Sequence, residues 1–308
     1  MRVATHGRSQ KPGGGIEMFR NMIVGVDGKE GGRDAISLAR LLLDADGELT
    51  LACIHYGDAH LWRGYSAAYE AAEHERAREV LEREREAAGI DVQVRSKGSP
   101  SVGQGLHELA EDIGADLLVL GSSRRGVLGR VLIGDDTHAA LNGAPCPVAV
   151  APAGFAERPA AIHEIGVGYN GSPESEHALG FARRLAGEHD AKLSAFEAIS
   201  LPTYVFMGPT IPDYAAIGEI VDAAREQVRE LGGVEPHAAY GPAAEELATY
   251  SDSLDLLVVG SRGYGPIGRL VHGSTSRHLA RTARCPLLVL TRSADAGDGL
   301  DEEPQAAG

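Results

Sequence analysis

The chain of 308 residues predicts an α/β protein built as two tandem doubly wound domains, each a five-stranded parallel sheet with helices on both faces. Three observations predict it. The sequence repeats itself with a period of about 139 to 144 residues. Within each copy short β-rich runs alternate with amphipathic helical stretches, and right-handed crossovers then require a parallel sheet covered on both sides. A glycine-rich loop follows the fourth strand, where an open sheet of this kind places its ligands.

The elements can be justified in order. Met22-Ile23-Val24-Gly25-Val26-Asp27-Gly28 and Ile165-Gly166-Val167-Gly168-Tyr169-Asn170-Gly171 open the copies as buried strands ending in turn residues. Asp34 to Leu43 then sets Ala35, Leu38, Ala39 and Leu42 on one helical face, answered by Ala178, Phe181, Ala182 and Leu185. Leu49 to Ile54 and Leu193 to Ala198 read as second strands. After a longer loop come charged helices at Ala71 to Ala88 and Ala215 to Leu231. Asp91 to Val94 and Glu235 to Tyr240 are third strands, Asp116 to Gly121 and Asp255 to Gly260 fourth strands, and Pro147 to Ala151 and Pro286 to Thr291 fifth strands. The linker falls at 153–161, between domains spanning 18–152 and 162–293. Residues 1–17 and the acidic stretch 294–308 have the composition of disordered tails.

Composition narrows the function. A net charge of −15 argues against nonspecific nucleic-acid or anionic-lipid binding, which need a positive surface. No apolar run reaches membrane-spanning length, no secretory pattern opens the chain, and three scattered cysteines make no disulfide framework, so a reducing cytoplasm is expected. Any phosphate must therefore be held locally.

The sharpest signal is Gly260-Ser261-Arg262-Gly263, nine residues, then Gly273-Ser274-Thr275-Ser276. Glycines let successive N–H groups approach an anion, and the following helical run Arg277 to Thr282 would turn its N-terminal dipole toward phosphate, with serine hydroxyls as added donors. The simpler reading is a tight turn at Gly260 and Gly263 and a helix cap at Ser274; spacing alone does not separate the two. Asn170 and Asp27 end their first strands at the switch point and can accept from a ribose or adenine group, or simply close Asx turns. Ala198 and Ile54 end the second strands, where they could line a base.

Together these residues resemble the universal stress protein family over roughly residues 18–152 and 162–293. The likeness includes the run Asp255 to Gly263 and the final strand Arg284-Cys285-Pro286-Leu287-Leu288-Val289-Leu290. The resemblance implies strand order 3-2-1-4-5, ATP (with or without magnesium) or a related adenine nucleotide at the switch point, and pairing through fifth strands, within the chain or in a homodimer. The first copy keeps Gly121 and Gly134 but carries Arg124 for the second glycine and Asp135 for the hydroxyl residue, so weaker or absent triphosphate binding is expected there. Asn170 replaces the family's usual acid in the second copy.

No catalytic residue and no metal site is read from the sequence. His55, His60, His74, His107 and His138 are scattered, and Cys53, Cys146 and Cys285 read as buried strand residues. The expected function is a stress-response sensor or regulator that binds nucleotide mainly through its second domain, with an unidentified protein partner. A slow ATP-hydrolysing enzyme is the alternative, disfavoured because no Walker run is present, and a scaffold that has lost nucleotide binding is a third reading.

Overall fold

The computed structural model describes residues 19–56, 67–122, 131, 135–158, 161–200, 214–261 and 273–291. Both tails, Arg124, Gly134, Arg262, Gly263, His60 and the segment 201–213 lie outside the described residues. The first copy runs β1 (Phe19–Gly25), α1 (Glu30–Leu42), β2 (Leu43–Tyr56), α2 (Ala67–Ala88), β3 (Gln93–Ser99), α3 (Val102–Ile113), β4 (Leu117–Gly121), α4 (Asp135–Leu141) and β5 (Val148–Ala151). The second runs β6 (Glu164–Tyr169), α5 (Pro173–His189), β7 (Lys192–Ile199), α6 (Tyr214–Glu230), β8 (Glu235–Tyr240), α7 (Ala243–Tyr250), β9 (Leu256–Gly260), α8 (Ser274–Thr282) and β10 (Leu287–Leu290).

Each copy has the strand order 3-2-1-4-5, all parallel, and the two are fused into one ten-stranded sheet through β5 and β10. That joint is antiparallel, with Leu287 opposite Val150, Leu288 opposite Ala149 and Val289 opposite Val148. The fifth strands therefore pair inside the chain. With β4 and β9 on their other edges, they have no edge left for a second chain, and the expected homodimer through fifth strands is corrected on that ground.

The central strands are apolar without alternation because both faces are covered. In β1, Met22 and Val24 point into one core layer and Ile23 into the other. Leu117 and Val119 of β4 join the first layer, Leu118 and Leu120 the second. The same division recurs at Leu256 and Val258 against Leu257 and Val259. Ala149 and Leu288 carry the first layer across the joint, and Phe19 meets Phe181 of the other copy with ring centroids 5.2 Å apart. Each side of the sheet thus has one core shared by both copies.

Two aspartates fix strand starts by the same device. Asp116 Oδ2 accepts from the backbone N–H of Arg20 (2.7 Å) and Asn21 (3.0 Å), and Asp255 Oδ2 accepts from His163 (2.8 Å) and Glu164 (2.9 Å). Each carboxylate before a fourth strand anchors the opening of the first strand beside it. The segment read as linker begins with ordered structure: a 3₁₀ turn at Phe155–Glu157 is clamped to α1 by Asp34. Its carboxylate is 1% exposed and accepts from Gly154 N–H (2.9 Å) and Ala156 N–H (2.8 Å).

Candidate functional site

At the carboxyl ends of β6, β7 and β9, where the strand order reverses, lies a cavity of about 410 Å³. Its walls divide by chemistry. β7 and α7 contribute Phe196, Ala198, Ala243 and Leu247, with Val259 from β9; Phe196 is held by stacking on Tyr250 at 4.8 Å. Ser172, Ser175, Ser261, Thr275 and Ser276 contribute hydroxyls, and Gly260 and Gly273 contribute backbone. An apolar slot beside a hydroxyl-rich helix start suits a flat apolar ring joined to an anion.

The turn from β6 into α5 is held by its own hydrogen bonds. Asn170 Oδ1 accepts from Ser172 N–H at 3.2 Å, an Asx turn, and Ser172 caps α5 by accepting from Ser175 N–H at 3.3 Å, with Pro173 opening the helix. Ser175 Oγ donates to Ser172 O at 2.8 Å. Asn170 thus lines the cavity while its side-chain oxygen serves the turn. Tyr169 O–H donates to Glu176, and that carboxylate together with burial pushes the phenol up to about 12.

Ser261 is different. It is 2% exposed, and its hydroxyl has no hydrogen-bond partner among the described residues. A buried hydroxyl left unpaired in a cavity wall is a donor waiting for a ligand or water.

The glycine at the end of β9 has a packing reason as well as a binding one. A Cβ on Gly260 would stand 2.5 Å from Glu174 O, the backbone of the first turn of α5. Gly121 repeats this in the first copy, where a Cβ would stand 1.8 Å from Gly31 O. The conserved geometry of the repeat therefore requires glycine here before any ligand is considered. The helix after the loop starts earlier than its apolar period suggested. Gly273 is the cap position, Ser274 to Ser276 form the first turn of α8, and Ser276 Oγ donates to Gly273 O at 3.2 Å. Ser274 is not the cap and faces solvent, while Thr275 and Ser276 face the cavity.

Of the residues singled out by sequence, Asn170, Ala198, Gly260, Gly273, Thr275 and Ser276 meet at this one cavity. Phe196, Leu247, Val259, Glu174 and Ser175 were not singled out, and Ser261 stood within the glycine motif without a binding role of its own. Ser172-Pro173 was legible as a helix start, but the inward direction of Ser175 and Phe196 is a property of the packed sheet. In the first copy Asp27 is tied up locally: Oδ1 accepts from Lys29 N–H (3.0 Å) and Oδ2 pairs with Lys29 Nζ (2.6 Å). Ile54 and Gly121 hold places equivalent to Ala198 and Gly260.

All three cysteines are buried free thiols. Burial, with Asp27 and Glu73 nearby, pushes Cys53 up to about 11. Burial and Asp116 push Cys146 up to about 12, and full burial raises Cys285 as well. Such thiols are inert toward nucleophilic chemistry. His55 and His74, read as scattered, are in fact neighbours, Nε2 to Nδ1 at 3.4 Å.

A doubly wound sheet with a ligand-sized cavity at its switch point defines the class of α/β ligand-binding folds. The model of the universal stress protein family matches residues 18–152 and 161–291, and the chain belongs to that family. The Mycobacterium tuberculosis universal stress protein Rv2319c is 27% identical over 249 residues, covering 75% of this chain and 81% of that protein. Rv2005c of the same organism is 32% identical over 186 residues, 58% of this chain and 63% of its own length. Among solved structures, a universal stress protein of Archaeoglobus fulgidus shares the fold with a TM-score of 0.62 at 19% identity, covering 89% of this chain and 98% of that one.

Proposed function

We propose that the second copy binds an adenine nucleotide, ATP or a relative, in the cavity between β6, β7, β9 and the start of α8, and that the chain acts as a nucleotide-responsive regulator in the cytoplasm. The observation that carries this reading is the buried, unpartnered Ser261 hydroxyl in a cavity whose other end is the apolar Phe196, Leu247 and Val259. The base would lie against the apolar wall, and phosphate would meet Ser261, Thr275, Ser276 and the amino end of α8. Gly263 and Arg262 complete the phosphate loop in this reading. The first copy, with Asp27 bound to Lys29 and Arg124 and Asp135 in the loop sequence, contributes little or nothing to nucleotide affinity. Among the described lining residues Glu174 is the one carboxylate, and no histidine or lysine stands with the hydroxyls, so binding rather than turnover is the proposed activity.

Titration calorimetry of the purified chain with ATP, with and without magnesium, tests this. One nucleotide per chain is expected, with affinity reduced about tenfold by Ser261→Ala, the effect of losing one hydrogen bond to an anion. Absence of binding would overturn the proposal, and two equal sites would overturn the division between the copies.

A further inference from the structure

The carboxyl end of β2 and the first turns of α2 bring two imidazoles together in the first copy. His55 Nε2 and His74 Nδ1 are 3.4 Å apart, and the rings stand edge to face at 81° with centroids 5.4 Å apart. That separation is long for a direct hydrogen bond between ring nitrogens. Two nitrogens bound at the usual 2.0–2.1 Å to one tetrahedral ion lie about 3.4 Å from each other, so the pair already has the bite of a chelate.

We propose that His55 and His74 form a two-histidine site for a borderline divalent transition metal ion of the zinc, nickel or copper class, with solvent completing its coordination. Imidazole suits these ions, and neither magnesium nor calcium would choose it. The site is reachable, because His74 lies on the exposed face of α2. The nearby carboxylates are already balanced, Asp27 by Lys29 at 2.6 Å and Glu73 by Arg76 at 2.9 Å, so the two imidazoles themselves carry the site. His55 Nδ1 is buried with no hydrogen-bond partner among the described residues, so the ring lacks the second-shell anchor that strengthens metal-bound histidines. Binding is accordingly reversible and responsive to free metal rather than permanent.

The site belongs to the first copy alone. Gly25 pairs with Ala52 and Gly168 with Phe196, so the position of His55 is occupied by Ile199 in β7. A chain whose second copy holds a nucleotide would then sense a metal through its first, and the metal site stands whether or not the nucleotide reading does.

The test uses the full chain without an affinity tag, titrated with zinc chloride in a calorimeter. Electron paramagnetic resonance of the copper-loaded protein counts coordinated nitrogens. Wild type should bind zinc with a stoichiometry lowered by one ion per chain in His55→Ala and in His74→Gln, or with affinity at that site reduced about tenfold or more, the least effect expected of losing a ligand. Copper should show two-nitrogen coupling in wild type that is lost in either variant. His74→Gln, on an exposed helical face, keeps the fold if His55→Ala does not. Identical zinc binding and copper spectra in wild type and His74→Gln, or no metal binding by wild type, would overturn the proposal.

Discussion

At the scale of single residues, the strand-end glycines and one buried acid are the sharpest points. Gly260 has Glu174 O where a Cβ would go, at 2.5 Å, and backbone yields less easily than a flexible side chain. Gly260→Ala should therefore cost about 2 kcal/mol, within the usual range for overpacking, and should also disturb the cavity because Glu174 lines it. Urea unfolding and nucleotide titration of the same variant check both halves; an unchanged midpoint would mean that α5 shifts freely. Glu84 is the opposite case. Its side chain is fully buried, Arg33 Nε and Arg83 Nε stand 3.6 and 3.7 Å away, and neither oxygen has a hydrogen-bond partner among the described residues. Pairing at that distance offsets little of the desolvation of a carboxylate, so Glu84→Met should leave stability unchanged or raise it by up to about 2 kcal/mol. A clear loss in urea unfolding would show that the two arginines hold the acid more strongly than their distances imply.

Between elements, carboxylates do the joining. Asp34 lies on α1, yet its two oxygens serve the N–H groups of Gly154 and Ala156 beyond β5, and so fasten the first copy to the segment leading into the second. Asp34→Ala would leave two backbone donors without their acceptor, the buried Gly154 N–H and the part-buried Ala156 N–H. A loss of about 3 kcal/mol is expected, from charge-assisted bonds of 1.5–3 kcal/mol each acting on one short turn. Hydrogen exchange at Gly154 and Ala156 should rise in step; protection retained at both amides would show that the turn is held by Phe155 instead. Asp116 and Asp255 are the same kind of tie between fourth and first strands. For Asp116, burial outweighs the backbone hydrogen bonds from Arg20, Asn21 and its own N–H and raises its carboxyl above the ordinary range. Its ionised form is therefore disfavoured by folding, and its contribution to stability falls as pH rises through that raised value.

For the whole molecule the decisive feature is the β5–β10 joint. It converts two five-stranded sheets into one, and it leaves β3 and β8 as the outer edges. A fragment ending after residue 158 would uncover the edge of β5 and the apolar layers around Ala149 and Val150, both fully buried in the intact chain. That fragment should pair with itself through β5, since an unpaired apolar edge recruits another strand. Sedimentation at several concentrations would show a dimer of the fragment. A fragment that stays monomeric would mean that the joint adds little to what each copy holds alone.

The repeat, the alternation of strands and helices, and the burial of both sheet faces were legible in the sequence, because they follow from local periodicity: Met22, Ile23 and Val24 all being apolar already says that both faces are covered. The position of Gly260, Gly273 and Asn170 near one another followed from the same topology. What remained hidden depended on side chains distant in sequence. The helix cap fell at Gly273 because α8 starts before its apolar period begins. Ser175 and Phe196 turned into the cavity because α5 and β7 pack that way, and His55 met His74 only because α2 returns across β2. Periodicity along a chain determines which elements form and which face they bury; the directions of individual hydroxyls and imidazoles, and the closing of β5 on β10, are decided by packing between elements that no local pattern records.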